Sequence, residues 1–217
     1  MELPEKRLRI HYSKTGFIRF TSNLDVQRIW ERTLRRAGIA VAYSQGFHPQ
    51  AKIQQASPLP LGFESTVEIV DIWISLASDL QNPSDLLNQY LPDGFHVSQV
   101  EYIDISEHSL QSRLFSSSYD IHFMNNRSRQ DLESLCHQVN NASTILFTKH
   151  NGKQYDLKPL IFDLTIQEDD GKYSFLSITL SSQINSTGRP DHLLQSFHID
   201  PALTRIVRTA IRFMDDD

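Results

Sequence analysis

The fold of this chain is decided by residues 7–38, RLRIHYSKTGFIRFTSNLDVQRIWERTLRRAG, in which a strand pattern gives way to a helix pattern. Apolar and polar residues alternate strictly over 7–12, which predicts a half-buried β-strand. The basic residues share the outer face of that strand: Arg7, Arg9 and His11. Residues 13–16 then predict a turn, and residues 17–20 predict a short returning strand.

An amphipathic helix follows, with Ser22 as its N-cap residue and Gly38 at its end. An α-helix advances by about 100° per residue, so residues three or four apart share a face. On this spacing one side carries the residues that we expect in the core: Val26, Ile29, Trp30, Thr33 and Ala37. The opposite side carries four arginines in a single stripe: Arg28, Arg32, Arg35 and Arg36.

The rest of the first half predicts more strands and a second short helix. Residues 44–65 show little regular patterning, and so long a loop in a compact domain is often functional. The other elements are predicted as a strand at 39–43, a short strand at 52–56 within the loop, a strand at 66–76, a helix at 86–90 that opens at Pro83, and a strand at 95–105.

The second half repeats the order of elements, although not the residues themselves. It predicts strands at 119–124, 144–148, 155–165, 173–181 and 206–214, helices at 129–139 and 193–197, and turns at 151–152 and 169–171. A helix that starts at Asp200-Pro201 is the alternative for the last strand. Two βαββαβ patterns predict an α+β fold with two tandem ferredoxin-like units, each an antiparallel sheet with helices packed on one face. We place the boundary within 107–118 and predict domains at 1–108 and 109–217.

Composition and charge narrow the class of protein. The 217 residues are 39% hydrophobic and 22% charged, as is typical of globular proteins. A charged N-terminus and the lack of an apolar run of about 18 residues predict a cytoplasmic protein with no signal peptide and no membrane partner. The single cysteine, Cys136, excludes an internal disulfide and a cysteine-held metal cluster.

Charge is distributed unevenly along the chain. Residues 1–66 carry 10 Lys and Arg against 5 Asp and Glu, whereas residues 67–217 carry 11 Lys and Arg against 21 Asp and Glu. Basic charge is therefore concentrated in the first segment.

Motifs for catalysis or for cofactors are missing from the sequence. It contains no glycine-rich phosphate loop, no GxSxG nucleophile motif and no HExxH zinc motif. Its nine histidines are not spaced as metal ligands, so we predict no metal, no cofactor and no catalytic residue. One alternative stays open, in which His48 works with Asp25, Glu64 or Glu68 as the acid–base group of a metal-independent endoribonuclease. A small-molecule enzyme with a pocket formed by 44–68 is a variant of that alternative.

The arginine stripe favours RNA binding instead. Arginine forks bind phosphates in a bidentate manner, and aromatic rings stack on exposed bases. The predicted phosphate-binding residues are Lys14, Arg19, Arg28, Arg32, Arg35, Arg36 and Lys52. The predicted loop and pocket residues are Asn23, Asp25, Tyr43, Ser44, Gly46, Phe47, His48, Pro49, Glu64, Ser65 and Glu68. Two alternatives stay open: a solvated helix face with the aromatic residues in the core, and a protein–protein adaptor that docks a partner through Phe47 and 59–63.

Several short motifs recur in order along the chain. They are KTG at 14–16, FTSNLD at 20–25, Arg28, ERTLRRAG at 31–38, YSQGFHP at 43–49, LPLGFES at 59–65 and Glu68, followed by YDLKP at 155–159 and GRP at 188–190. With these motifs the chain resembles the bacterial radical SAM-linked protein family, whose members are usually fused to, or encoded beside, a radical SAM domain. The resemblance implies an accessory role, in which an RNA-binding module recognises a tRNA or rRNA substrate for a radical SAM protein.

The sequence departs from the family pattern at two positions, because the family has histidine in place of Asn23 and asparagine in place of His48. The chain also lacks a CxxxCxxC motif for an iron–sulfur cluster. The resemblance therefore implies that any radical chemistry belongs to a separate polypeptide.

Overall fold

A computed structural model describes residues 5–75, 80–125, 127–169 and 173–214. The chain divides into two compact units, Met1–Arg113 and Leu114–Asp217. Each unit combines helices with an antiparallel sheet, which confirms the predicted α+β class. No helix in the described ranges is long and apolar enough to cross a membrane.

The first unit is built on strands β1 (Glu5–Lys14), β2 (Ile53–Gln55), β3 (Glu64–Ser75) and β4 (Phe95–Ile103). Their order is β2-β3-β1-β4, and neighbouring strands run antiparallel. The helices are α1 (Asn23–Arg36), α2 (Pro83–Asn88) and α3 (Leu110–Arg113), with a 3₁₀ helix at Gly16–Phe20. Strand β1 therefore lies between β3 and β4, and α1 follows it in the chain.

The core of the first unit joins β1 to α1. Leu8, Ile10 and Tyr12 of β1 are buried in one cluster with Trp30 and other apolar residues of α1. The Tyr12 ring meets the Trp30 ring edge to face at 5.0 Å and stacks on Phe95 at 5.6 Å. This packing fixes which side of α1 faces inward, so the arginine side faces outward.

The predicted basic outer face of β1 is wrong for its two arginines, because Arg7 and Arg9 are buried. Both bind the buried carboxylate of Asp71, with Nε-to-oxygen distances of 3.0 Å for Arg7 and 2.9 Å for Arg9. Nη1 of Arg9 also lies 3.1 Å from Glu107 Oε1. Alternation predicts which residues share a face of a strand, but it does not show whether that face is covered.

Two predicted strands in the first unit are also wrong. Residues 17–20 lie in the 3₁₀ helix, and 39–43 form only two isolated bridges, from Val41 to Ile74 and from Tyr43 to Ala51. In the first case a run of four residues after Gly16 is too short for its pattern to separate a strand from a helical turn. Of the predicted strand at 66–76, residue 76 lies outside the described residues.

The second unit contains seven strands and two helices within the described ranges: β5 (Leu114–Phe123), α4 (Arg129–Asn141), β6 (Leu146–Thr148), β7 (Gln154–Asp156), β8 (Ile161–Asp169), β9 (Tyr173–Gln183), β10 (Ser186–Thr187), α5 (Pro190–Ser196) and β11 (Thr204–Phe213). The main sheet has the order β8-β9-β5-β11, with antiparallel neighbours, and β10 pairs with β9. Strands β6 and β7 form a separate hairpin.

Proline positions explain where the second unit differs from its predicted elements. The predicted strand at 155–165 is interrupted by a 3₁₀ helix, Lys158–Leu160, because Pro159 cannot donate a backbone hydrogen bond to a sheet. Asp200-Pro201 opens another 3₁₀ helix, Pro201–Leu203, after which β11 begins, so the helix alternative for 206–214 is wrong. The predicted turn at 169–171 reaches outside the described residues.

Candidate functional site

The arginine stripe lies on the exposed side of α1. Ser22 caps the helix by accepting a hydrogen bond from the Asp25 backbone N–H at 3.2 Å. The inward side buries its apolar residues, Val26, Trp30 and Leu34 among them. The four arginines are all exposed: Arg28, Arg32, Arg35 and Arg36.

The stripe arginines differ in their partners. Arg28 Nη1 lies 3.2 Å from Asp25 Oδ1, an exposed pair one turn apart. A hydrogen bond from the Ser22 hydroxyl is the main cause that holds the pKa of Asp25 below its usual value. Within the described part of the chain, Arg32 and Arg36 have no hydrogen-bond or ion-pair partner. Their guanidinium donors are therefore available to an external anion.

Tyr43 connects the stripe to the following loop. Its hydroxyl donates to Glu31 Oε1 at 2.7 Å, and this hydrogen bond is the main cause that raises the pKa of Tyr43. The positive charge of Arg35 acts in the opposite direction on the same hydroxyl. The loop thus begins against α1, beside the arginines.

The loop at 44–50 is closed by two hydrogen bonds between Ser44 and Gln50 and projects an aromatic ring. The Ser44 N–H donates to the Gln50 carbonyl at 2.8 Å, and the Gln50 N–H donates to Ser44 Oγ at 3.0 Å. Gly46 has a φ of +135°, which favours glycine at this turn. Phe47 is fully exposed, and His48 and Pro49 are exposed beside it. The structure does not pack Phe47 into the core, unlike one of the alternatives for the aromatic residues.

A groove of about 470 Å³ lies beside this loop. The residues that line it include Ser44, Gln50 and Gln54, which carry hydroxyl or amide groups, together with Lys52 and Trp73. The sequence analysis missed Gln50, Gln54 and Trp73 as site residues. The alternation of 66–76 assigns Trp73 to one face of its strand, but it does not indicate that Trp73 lies beside the loop at 44–50.

Lys14 requires a correction, because only 1% of it is exposed. Its Nζ donates to the Thr21 carbonyl at 3.2 Å. Burial lowers the pKa of Lys14, and the nearby charge of Glu68, which is also buried, partly opposes that effect. Lys14 belongs to β1 rather than to the predicted turn, and in this position it is not available to a phosphate on the surface.

Two further predicted cations are paired with carboxylates. Arg19 Nη1 lies 2.9 Å from Oε1 of the buried Glu64, and its guanidinium lies over the Phe20 ring. Lys52 Nζ lies 2.8 Å from Glu5 Oε1 and 2.9 Å from Oε2. Because each charge is already neutralised by a partner, these residues attract a phosphate less strongly than Arg32 and Arg36 do.

The remaining predicted pocket residues differ in burial and in hydrogen-bond partners. Asn23 is exposed at the first position of α1, and Ser65 is buried and accepts a hydrogen bond from the Val67 N–H at 3.1 Å. Among the described residues, the structure does not bring His48 within hydrogen-bond distance of Asp25, Glu64 or Glu68. The described ranges also contain no cluster of three His, Cys, Asp or Glu side chains that could hold a metal ion.

A second polar cluster occupies the other unit, where the sequence analysis predicted no site. The Tyr155 hydroxyl lies 2.6 Å from His192 Nδ1, and the His192 ring stacks on Phe147 with centroids 3.9 Å apart. Burial raises the pKa of Tyr155 to about 12 and lowers the pKa of His192 to about 4. Arg189 forms a bidentate pair with Asp191 at 3.0 and 2.7 Å. The motifs at 155–159 and 188–190 adjoin this cluster, but nothing in their spacing indicates that they meet.

The sequence matches a known bacterial family over residues 7–190. The family is described as "Uncharacterized protein conserved in bacteria" (DUF2344). The chain belongs to this family. No curated protein matches it.

Three solved structures show distant likenesses to this DUF2344 protein. A chain of "a Cbf5-Nop10-Gar1 Complex" has a TM-score of 0.49 at 10% identity; the match covers 94% of this protein and 48% of that chain, about half its length. A putative glycine cleavage system transcriptional repressor has a TM-score of 0.27 at 9% identity, with 96% and 97% covered. A putative dyp-type peroxidase protein from Shewanella oneidensis has a TM-score of 0.23 at 12% identity, with 100% and 96% covered.

Proposed function

We propose that this DUF2344 protein binds a structured RNA, tRNA or rRNA, and presents it as a substrate to a radical SAM protein encoded separately. The observation that carries the RNA part is the exposed arginine stripe on α1. Arg32 and Arg36 have no partner within the described part of the chain, so they keep their full set of donors for phosphate oxygens. Successive turns of the helix are about 5.4 Å apart, so the stripe offers a row of charges to a phosphate backbone.

The RNA-binding set in this proposal is smaller than the set predicted from the sequence. It keeps Arg28, Arg32, Arg35 and Arg36 for phosphates, and from the predicted loop residues it keeps the exposed ring of Phe47 for stacking on an unpaired base. Lys14 leaves the set because it is buried, and Arg19 and Lys52 contribute less because carboxylates neutralise them. Asp25 and Glu31 orient stripe residues and the loop, through Arg28 and Tyr43.

The radical SAM partner rests on the resemblance carried by the motifs between Lys14 and Glu68. Three exposed apolar side chains on two neighbouring segments favour a docking function for such a partner. Phe17, Phe20 and Leu61 are exposed, and the Gly62 N–H donates to the Arg19 carbonyl at 2.9 Å, which holds the two segments together. Exposed apolar side chains that lie together mark interaction surfaces in many proteins.

Phe17→Ser with Leu61→Ser should abolish co-purification of the radical SAM protein and leave RNA affinity unchanged. Retained co-purification would contradict this docking role.

For the fold we propose two tandem ferredoxin-like domains. The support is that both units place their strands in one order, β2-β3-β1-β4 in the first and β8-β9-β5-β11 in the second. In both, one helix follows the first strand and another precedes the last strand, as in a βαββαβ unit.

The proposal also includes a cytoplasmic location, because its substrate is a tRNA or an rRNA.

The affinity for tRNA of full-length variants tests the RNA part of the proposal. Arg32→Glu with Arg36→Glu should raise the Kd for total tRNA by about tenfold or more, measured by fluorescence anisotropy at fixed salt. Lys153→Glu with Arg212→Glu is the matched control, because it makes the same change in net charge at exposed positions of the other unit. The control should bind like the unmodified protein. Equal losses in the two double variants, or no loss in either, would contradict the proposal.

A further inference from the structure

The groove beside the loop gives the proposed function a second contact with RNA. We propose that this groove binds a single unpaired nucleobase of the RNA whose backbone lies along the arginine stripe. This inference rests on the proposed function, since it assigns the part of the RNA that the arginines do not hold. The volume of the groove, about 470 Å³, falls within the usual range of small-molecule pockets, roughly 300–1,000 Å³.

The chemistry of the lining suits a planar heterocycle. Trp73 supplies an aromatic surface, and bases of any identity stack on aromatic side chains. Gln50 and Gln54 supply amide groups, each with donors and an acceptor, which match the hydrogen-bonding edge of a base. Within the described part of the chain, the Gln50 amide has no partner. The Gln54 Nε2 reaches Gln111 Oε1 only at 3.5 Å, so its carbonyl oxygen remains an acceptor.

The electrostatics of the groove favour a neutral ligand part over a phosphate. Lys52 is the cation in the groove lining, and both oxygens of the Glu5 carboxylate lie within 2.9 Å of its Nζ. This pair cancels the positive charge that a phosphate would need. The stripe on α1 has the opposite character, since Arg32 and Arg36 are exposed and unpaired among the described residues. The structure thus separates a site for phosphates from a site for a base.

Trp73 is held in place from within the fold. The Arg7 guanidinium lies 5.0 Å from the centroid of the indole, and Arg7 is itself bound to the buried Asp71. The ring therefore keeps a fixed position without a ligand, which reduces the entropy lost on stacking.

The loop connects the two sites. Tyr43 contacts Glu31 of α1, and the next residue, Ser44, lines the groove. Phe47 projects from the loop between Ser44 and Gln50, both of which line the groove. Trp73 pairs with Arg7, so it lies on the face of the sheet away from α1. In the proposal the RNA therefore passes over the loop at Phe47, which brings a base from the stripe to the groove.

Mononucleotides test the inference with the full-length protein. The chain has two tryptophans, and Trp30 is fully buried in the core, so quenching by a ligand reports on Trp73. At least one of AMP, GMP, CMP and UMP should quench the emission saturably. Ribose 5-phosphate has the sugar and phosphate but no base, and it should not bind. Trp73→Phe should remove the signal.

Variants separate the groove from the stripe. Gln50→Ala with Gln54→Ala should weaken binding of the mononucleotide by about tenfold and that of tRNA by a smaller factor. Gln138→Ala with Gln195→Ala, two exposed glutamines of the other unit, is the control and should change neither affinity. Arg32→Glu with Arg36→Glu should weaken tRNA binding and leave mononucleotide binding within about twofold, because the groove is not part of the stripe.

Different failures overturn different claims. If tRNA binds through the stripe but no mononucleotide quenches Trp73, or ribose 5-phosphate binds equally well, the groove is not a base site and the proposed function stands. If mononucleotides bind but tRNA does not, the proposed function fails, and the claim that the base belongs to bound RNA fails with it.

Discussion

The cationic side chains of this protein differ in whether a carboxylate already binds them. Arg7 and Arg9 share the buried carboxylate of Asp71, and their role is structural. Arg32 and Arg36 are exposed and have no partner in the described part of the chain. An exposed and unpaired charged side chain is available to bind an anionic ligand. A side chain in a buried ion pair is not, because its charge already interacts with its partner. Residue type alone does not distinguish these cases.

The Asp71 carboxylate should be essential for stability. Asp71→Asn leaves Arg7 and Arg9 without their buried counter-charge, and breaking a buried pair costs about 3–5 kcal/mol of the free energy of unfolding. Urea denaturation measures this loss. Glu133→Gln breaks an exposed pair with Arg129 and is the control, with an expected loss of about 0–1 kcal/mol. Equal losses in the two variants would show that the Asp71 network does not hold the sheet.

His192 should make the protein less stable at acidic pH. Burial lowers the pKa of its imidazole to about 4 from 6.5. Between these values the unfolded chain binds a proton that the native imidazole does not, so stability falls as the pH falls from 6.5 to 4. An NMR titration measures the pKa of His192 directly, and His192→Gln assigns its signal and weakens the pH dependence. A titration midpoint near 6.5 would contradict the half-buried Tyr155–His192 pair.

The helix α1 is the element that joins stability to the proposed function. Its inner side buries Trp30 against Tyr12 of β1, and this packing turns the arginine side outward. A loss of helical order at its first turn would disturb the spacing of Arg28 first. The N-cap at Ser22 therefore supports the proposed RNA interface as well as the fold.

Removal of that cap should cost little but measurable stability. Ser22→Ala deletes the acceptor for the Asp25 backbone N–H, and such a change costs about 1 kcal/mol. Chemical denaturation followed by circular dichroism measures the difference. Ser134→Ala, at an exposed position in the body of α4, is the control and should not destabilise the protein. If both variants unfold at the same denaturant concentration as the unmodified chain, Ser22 does not cap α1.

Sequence patterns predicted the long elements and several short ones, such as β2 and α2, but they assigned strands wrongly at 17–20 and 39–43. The helix before Gly38 and the strand at 66–76 have clear periodicity over ten or more residues, and the nine residues at 206–214 alternate strictly. The 3₁₀ helix at Gly16–Phe20 is decided by local turns that periodicity does not describe. The stripe followed from helix geometry, whereas the groove depends on Trp73 and Gln54 meeting across strands, which no local pattern encodes.

At the scale of the whole molecule, local charge matters more than net charge. The chain has a net charge of −5, which on average repels RNA. The proposed interface overcomes this repulsion because its arginines lie on one helix side, and screening by salt limits repulsion from distant carboxylates to about 10 Å. We therefore expect RNA binding that depends strongly on ionic strength.

The salt dependence of tRNA affinity tests the central claim most directly. Each phosphate contact contributes about 0.7–0.9 to the slope of log K against log salt concentration. Arg32→Gln with Arg36→Gln should therefore reduce the magnitude of that slope by about 1.5, whereas Lys153→Gln with Arg212→Gln should leave it unchanged. A slope that is the same for the unmodified protein and both double variants would contradict the claim that the α1 arginines hold the RNA backbone.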